Sequence, residues 1–95
     1  MVSTLGGLVG IVSKEASNEV VKAALEILRR QKYLGEDGTG LAGITVSGEL
    51  YIERYPVEFD KFVKMAKKIE DVSVRTIIGE VRYATHGRPS IENTP

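Results

Sequence analysis

Three side chains suited to holding a small polar molecule lie close together near the end of the sequence. Arg82, Thr85 and His86 fall within five residues of each other, in the run GEVRYATHGRPSIENTP from Gly79 to Pro95. An arginine guanidinium binds a carboxylate through two parallel hydrogen bonds, while hydroxyl, imidazole and backbone N–H groups can hold the other polar atoms of a ligand. The residue types therefore indicate either a site for a small carboxylate or, as the alternative, a surface salt bridge followed by a loop histidine.

The composition excludes several other kinds of chemistry. The chain has no cysteine, which rules out disulfides, thiolate metal sites and a cysteine nucleophile. It has one histidine and no paired ligand spacing, so we predict no metal site and no cofactor. The formal net charge is zero, which gives no electrostatic reason to expect nucleic acid or a membrane surface as the partner. The opening apolar run is too short to span a bilayer and lacks the flanks of a secretion signal, so we expect a cytoplasmic protein.

The first half of the sequence predicts a strand, a helix and a loop that lead towards the second half. The 95 residues are 42% hydrophobic, which is typical of one small domain or of part of a larger one. A glycine-rich strand is predicted over Leu5 to Ser13, and its glycines indicate a bulge or a close approach of the backbone. A helix capped by Ser17 is predicted from Asn18 to Tyr33, with Gly35 as its stop signal and a loop to Gly40. Its apolar stripe consists of Val21, Ala24, Leu25 and Leu28 with Val20 and Ile27 beside it.

The second half predicts a hairpin, a second helix and a final strand. The hairpin turns near Gly48, and the second helix follows Pro56. The apolar side of that helix is formed by Phe59, Phe62, Val63, Ala66 and Ile69, and its lysines at 61, 64, 67 and 68 form a solvated face. The last strand is predicted from Val74 to Thr85, and its alternation puts Glu80 and Arg82 on one face.

These elements follow the order β-α-β-β-α-β. With one tight hairpin, this order predicts an α+β domain with a largely antiparallel sheet and packed helices. Ferredoxin-like domains have the same element order, so the order alone leaves the fold open.

Three segments together resemble a known family. The segment RYATHGRPSIEN resembles the glutamine-binding segment of class II glutamine amidotransferases, a branch of the N-terminal-nucleophile hydrolases, and is most similar to the pattern in glucosamine-6-phosphate synthases. The run GLVGIVS, from Gly7 to Ser13, resembles the strand that follows the family's nucleophile, and LRRQKYLGEDGTGLAGI, from Leu28 to Ile44, resembles its helix end and loop. The resemblance covers essentially the whole chain but only about the first half of the family's domain.

The resemblance implies a fold, an activity and roles for particular residues. It implies that residues 1–95 form one partial N-terminal-nucleophile hydrolase domain of the type 2 amidotransferase class, and that the ligand is glutamine or a similar amino acid. In the family an N-terminal cysteine thiol attacks the glutamine side-chain amide and ammonia leaves. By position, Arg82 would bind the α-carboxylate of glutamine, and Thr85 and His86 would line the same pocket.

The sequence also departs from the family's pattern. The nucleophile position is Gly6, which has no side chain, and it is preceded by five residues. Ser3 or Thr4, if exposed by processing, is an alternative N-terminal nucleophile, but each lies two or three residues out of register, roughly 7–10 Å along an extended chain. Leu34 stands where the family has an arginine before the loop glycine, and Glu80 stands where it has a histidine. An ion pair between Glu80 and Arg82 could then occupy the guanidinium that a ligand carboxylate needs. The family's later Asn-Gly oxyanion pair and substrate-binding aspartate are not among these residues, so we expect the chain as it stands to be catalytically inactive.

Two alternatives to a partial amidotransferase domain stay open at this point. One is a non-catalytic sensor of an amino acid, or an assembly module, that uses Arg82, Thr85 and His86. The other is a small α+β domain with an architectural likeness only. The resemblance does not indicate which acceptor receives the nitrogen. A half-domain leaves a sheet face or edge uncovered, so we also expect a homodimer or an association with a missing C-terminal or synthase partner.

Overall fold

The computed structural model describes residues 6–83 and contains the six elements that the sequence predicts. They are β1 (Gly6–Ser17), α1 (Asn18–Arg30), β2 (Gly38–Thr45), β3 (Leu50–Tyr55), α2 (Phe59–Met65) and β4 (Val74–Arg82). Two short 3-10 turns, Lys32–Leu34 and Ile69–Asp71, follow the two helices. The predicted order β-α-β-β-α-β and the α+β class are confirmed.

The four strands form one sheet in the order β1-β4-β2-β3, and every neighbouring pair is antiparallel. The last strand therefore lies inside the sheet, between the first and the second, while β1 and β3 form the two edges. Because β1 and β2 both run antiparallel to β4, they are parallel to each other without being paired. The chain thus makes a crossover through α1 before β4 fills the gap between them.

One face of the sheet is covered by both helices, and the core lies there. Alternate strand residues, Val9, Leu41, Ile77 and Val81, are buried together with the apolar stripe of α1 and with Phe59 and Phe62 of α2. All four residues of the predicted α1 stripe are buried. The opposite face of the sheet is open and carries exposed isoleucine, leucine and valine side chains, which we call the open face.

The structure changes the predicted ends of α1. Ser17 caps it as expected, because its hydroxyl accepts a hydrogen bond of 2.8 Å from the Glu19 backbone N–H. The helix ends at Arg30 rather than Tyr33, and residues after Gln31 form a 3-10 turn. Gly35 has an extended φ of −168°, so it is not the left-handed stop that the sequence predicted.

The second helix is shorter than its apolar pattern predicts. Glu58 caps its start, since the Glu58 carboxylate accepts a hydrogen bond from the Lys61 backbone N–H at 2.8 Å. The helix ends at Met65, and Ile69 reaches the core from the following 3-10 turn instead. The four lysines of this region are exposed, as expected of a solvated face.

The strands also differ from prediction in two places. The hairpin turns at Gly48, which has a φ of +87° and is the only positive-φ residue in the stretch 6–83. The irregularity of β1 lies between Val12 and Ser17, after the glycines rather than at them. Strand β4 ends at Arg82, and the predicted continuation to Thr85 lies outside the described residues.

Candidate functional site

Arg82 stands at the end of the central strand β4 with a glycine on each side. In the sheet it pairs with Gly6 of β1 and with Gly38 of β2. Paired residues of neighbouring strands project from the same face, so the half-buried Arg82 side chain rises from the open face with no side chain next to it in its row. This leaves room for a planar carboxylate beside the guanidinium.

The loop after α1 is packed against the end of β4. A Cβ atom at Gly35 would overlap the backbone of Val81 and Arg82, so only glycine fits this contact as it stands. The Asp37 backbone N–H donates a hydrogen bond of 2.9 Å to the Arg82 carbonyl oxygen, which extends the pairing of β2 with β4. The loop therefore holds the backbone from which the Arg82 side chain projects.

Tyr83 makes a second connection between the loop and β4. Its hydroxyl donates to the Glu36 carboxylate at 3.0 Å and lies 3.3 Å from the Tyr33 carbonyl oxygen. The hydrogen bond to this carboxylate is the main reason that the pKa of the Tyr83 hydroxyl is raised. The segments that carry the three motifs, near Gly6, Gly35 and Arg82, thus meet at one end of the sheet.

Glu80 lies one pleat before Arg82 on the same face, as the alternation predicted. Burial raises the pKa of the Glu80 carboxyl, and the positive charge of Arg82 opposes this increase. Within the described stretch, however, no ion pair or hydrogen bond joins the two side chains. Glu80 therefore does not occupy the guanidinium in this structure, although the positive charge of Arg82 acts to lower the pKa of the Glu80 carboxyl.

Gly6, at the position of the family's nucleophile, lies beside Arg82. A Cβ atom built on Gly6 would lie 4.0 Å from Arg82 Cβ and 3.0 Å from the Val81 carbonyl oxygen. A side chain here would thus project next to the Arg82 stem after a shift of a few tenths of an ångström at the exposed end of an edge strand. Ser3 and Thr4 lie outside the described residues, as do Thr85 and His86.

Sequence reasoning missed the supports of this site. Gly38 was assigned to a loop and Gly35 to the stop of α1, and the Tyr83–Glu36 contact was not anticipated. The repeated glycines from 35 to 40 were a usable signal, because glycine is needed where a backbone approaches another closely. What they approach is a strand more than 40 residues later, and no local pattern identifies it.

Two features are absent from the part of the chain that the structure describes. No group of three or more histidine, cysteine, aspartate or glutamate side chains within 6–83 is arranged to hold a metal ion. No helix in that stretch is long and apolar enough to cross a membrane.

Among known proteins, the sequence is similar to one named class of enzymes. It is 34% identical over 87 residues to a glutamine--fructose-6-phosphate aminotransferase (isomerizing) of Sulfurisphaera tokodaii and 38% identical over 87 residues to that of Aquifex aeolicus. The enzyme of Caulobacter vibrioides is 36% identical over the same length. Each match covers 92% of this chain but only 14% of the relative, so the chain spans about a seventh of the length of these relatives.

The comparison of structures identifies the fold alone. A chain in a solved complex of a β-clamp processivity factor with the little finger domain of PolIV matches with a TM-score of 0.57 at 12% identity. The match covers 90% of this chain and 92% of that chain, which shows that the two chains share a similar arrangement of strands and helices. No protein-family profile matches the sequence.

The sequence relationship agrees with the motifs that first indicated it. The matches extend over 92% of the chain, which agrees with a resemblance that covers essentially all of it. The chain is accordingly a homologue of the N-terminal portion of the glutamine--fructose-6-phosphate aminotransferases.

Proposed function

We propose that the chain forms the glutamine-binding part of a class II amidotransferase site and that it does not hydrolyse glutamine as it stands. The observation that carries this proposal is the placement of Arg82 on the open face between Gly6 and Gly38. Glycines on both sides leave the guanidinium accessible to the α-carboxylate of an amino acid, which would bind through two parallel hydrogen bonds.

The loop that follows α1 supports this role by fixing the strand end. Gly35 and Asp37 hold the Arg82 backbone directly, and Tyr83 is tied to Glu36. A binding arginine discriminates well only when its own position is fixed, because a mobile side chain loses conformational entropy on binding. Thr85 and His86, which follow directly in sequence, would complete the pocket.

The proposed lack of hydrolysis rests on the residue beside Arg82. Gly6 offers no nucleophilic atom, although a side chain at this position would project towards the space where a ligand of Arg82 binds. Covalent catalysis of amide hydrolysis needs an activated nucleophile there. The chain would therefore bind the substrate of its relatives without converting it.

For the fold, we propose that residues 6–83 correspond to part of an N-terminal-nucleophile hydrolase domain. The sequence relationship supports this assignment, and an antiparallel sheet with helices on one face is compatible with it. The relatives' name indicates nitrogen transfer to fructose 6-phosphate, and this chain spans about a seventh of their length.

The test is calorimetric titration of the purified 95-residue chain with L-glutamine. Arg82→Ala should weaken binding by about 10- to 150-fold, the effect of losing a charge-assisted hydrogen bond worth about 1.5–3 kcal/mol. The glutamine affinity of Arg82→Lys should lie between those of the parent and Arg82→Ala, because lysine keeps the positive charge but cannot form the two parallel hydrogen bonds. Glutamine with its α-carboxylate converted to an amide should not bind.

Arg75→Ala provides the matched control. Arg75 is an exposed arginine on the same strand, and its only described hydrogen bond is a 3.5 Å contact with the Ser13 carbonyl oxygen. Glutamine affinity should be unchanged by this substitution. Equal binding of glutamine by the Arg82→Ala variant and the parent would contradict the proposed site, and release of ammonia by the parent chain would contradict the proposed inactivity.

A non-catalytic assembly module is the second candidate function. The observation in its favour is the open face, where apolar side chains are exposed across all four strands. Failure of glutamine to bind, together with stable self-association of the chain, would favour this candidate over the first.

A further inference from the structure

Glu80 and Arg82 carry opposite charges on the open face, and the structure leaves both without a partner. They are successive residues of one face of β4, so their side chains start about 7 Å apart along the strand. Both are half-buried, and neither side chain has a hydrogen bond or ion pair with another residue of the stretch 6–83. A half-buried charge is costly until a partner supplies the interactions that water no longer provides. The two groups thus offer an acceptor and a donor to a third molecule.

The neighbouring strand β2 leaves space beside both groups. Arg82 pairs with Gly38, and Glu80 pairs with Gly40, so β2 presents only bare backbone next to each of them. Glu80 and Gly40 also line a depression of about 480 Å³ in the open face. A small molecule can therefore lie along β2 and reach the guanidinium and the carboxylate at the same time.

The spacing of the two groups fits the zwitterion of an α-amino acid. The carboxylate and the ammonium of such a ligand are attached to one carbon atom, so they lie closer together than the two side chains do. A charge-assisted hydrogen bond of about 2.8 Å at each end closes the remaining gap. The guanidinium of Arg82 then donates to the ligand carboxylate, and the carboxylate of Glu80 accepts from the ligand ammonium. A carboxylic acid without an amine satisfies only the first of these contacts.

We propose that Glu80 binds the α-ammonium group of the amino acid whose α-carboxylate is bound by Arg82. This inference rests on the proposed function of Arg82 and adds a selectivity to it, because the site then prefers zwitterionic amino acids to carboxylates that lack the amine. Burial raises the pKa of the Glu80 carboxyl, so its anion is poorly solvated in the free chain. An ammonium group bound at this place supplies the missing hydrogen bonds.

Arg54 is the other charged residue in the same row of the open face as Glu80. It belongs to β3 and is separated from Glu80 by Gly40, two strand spacings or about 10 Å away. The positive charge that acts on the Glu80 carboxyl is that of Arg82 and not that of Arg54. The Glu80 carboxylate is therefore closest in its electrostatics to the guanidinium that holds the ligand carboxylate.

Calorimetric titration of the full chain with two ligands tests the inference. The probes are L-glutamine and glutaramate, which is glutamine without its α-amine, and the parent chain should bind glutamine more tightly. Glu80→Gln keeps the size of the side chain but removes its charge. It should weaken glutamine binding about tenfold, the difference between a charge-assisted and a neutral hydrogen bond. Glutaramate should bind this variant at least as tightly as it binds the parent, because the repulsion between the two carboxylates is gone.

Three further variants serve as controls in the same titrations. Glu80→Asp keeps the carboxylate and should retain most of the preference for glutamine. Glu70→Gln removes an exposed carboxylate from the 3-10 turn after α2, on the helix side of the sheet, and should change neither affinity. Arg82→Ala should weaken the binding of both ligands. Opposite responses of glutamine and glutaramate to Glu80→Gln cannot come from a loss of folding, which would weaken both.

The possible failures of this inference and of the proposed function are distinguishable. If Glu80→Gln leaves the ratio of the two affinities unchanged while Arg82→Ala still weakens glutamine binding, the inference is overturned and the proposed function stands. Tighter binding of glutamine by Glu80→Gln than by the parent would also overturn it, because Glu80 would then compete for the guanidinium. If Arg82→Ala binds glutamine as tightly as the parent, or if the parent binds neither ligand, the proposed function fails and this inference fails with it.

Discussion

Replacement of Gly35 by alanine tests whether the loop after α1 is held against the end of β4. The φ of Gly35 is −168°, which any residue can adopt, so the backbone conformation itself sets no barrier. The obstacle is contact, because the added methyl group would overlap backbone atoms of Val81 and Arg82. A backbone inside a sheet cannot move aside as the end of a side chain can, so the loop must move instead.

The size of the effect follows from what the loop loses when it moves. Overpacking against a rigid neighbour costs about 1–3 kcal/mol. Displacement also weakens the hydrogen bond from Asp37 to Arg82 and the one from Tyr83 to Glu36, which are 2.9 and 3.0 Å long. With about 1 kcal/mol for each of these two hydrogen bonds, the total is about 3–5 kcal/mol, a large part of the 5–15 kcal/mol typical of a domain.

Urea unfolding followed by circular dichroism measures this loss, and Gly10→Ala is its matched control. A Cβ atom at Gly10 meets nothing within 4 Å, so this substitution should be neutral or slightly stabilising. Gly35→Ala should lower the midpoint of unfolding, and should lower the melting temperature by at least about 12 °C for a domain of this size. It should also weaken glutamine binding, because Arg82 is positioned by the same contact.

One outcome would refute this reasoning. If Gly35→Ala lost no more stability than Gly10→Ala, then the loop could not be packed on β4 as the structure shows, and the proposed support of Arg82 would be wrong. A loss of stability without any change in glutamine affinity would confirm that the loop packs on β4, but would show that Arg82 is positioned by the sheet alone.

Three further substitutions test the core, the helix cap and the carboxyl group near the site. Phe62→Ala removes a fully buried ring that contacts Tyr55 at a centroid distance of 6.0 Å, and should lower the free energy of unfolding by about 3–5 kcal/mol. Met65 is exposed, so Met65→Ala should change that free energy by less than about 0.5 kcal/mol. Ser17→Ala should cost about 1 kcal/mol in the same measurement and Ser17→Asp much less, since the carboxylate can accept the Glu19 hydrogen bond; equal losses would argue against capping. For Glu80, the folded pKa is raised above its ordinary value of 4.5, so the folded state binds more protons than the unfolded state and stability falls as pH rises through this range. Glu80→Gln should therefore be more stable than the parent at pH 7 and lose this advantage below about pH 4, and an advantage that is the same at both pH values would contradict burial as the cause.

The elements could be predicted from local patterns because their signals are local. Three local features were predicted and are confirmed: the apolar stripe of α1, the cap at Ser17 and the turn at Gly48. Each depends only on residues that are near one another in the sequence. The end of α1 was wrong by three residues, because Tyr33 and Leu34 continue the apolar pattern while the chain has already tightened into a 3-10 turn. Helix ends depend on tertiary contacts as well as on sequence signals.

The sequence by itself determined which chemistry this chain can carry. The absence of cysteine excludes a thiol, the glycine at position 6 offers no nucleophilic atom, and the arginine at position 82 supplies the group that we propose binds a carboxylate. The tertiary structure alone decided that Gly6, Gly35 and Gly38 meet around Arg82, because β4 inserts between β1 and β2 only after the rest of the sheet has been laid out along the chain. Such pairings join residues that are dozens of positions apart, and periodicity within a strand shows which face a residue takes but not which strand lies beside it.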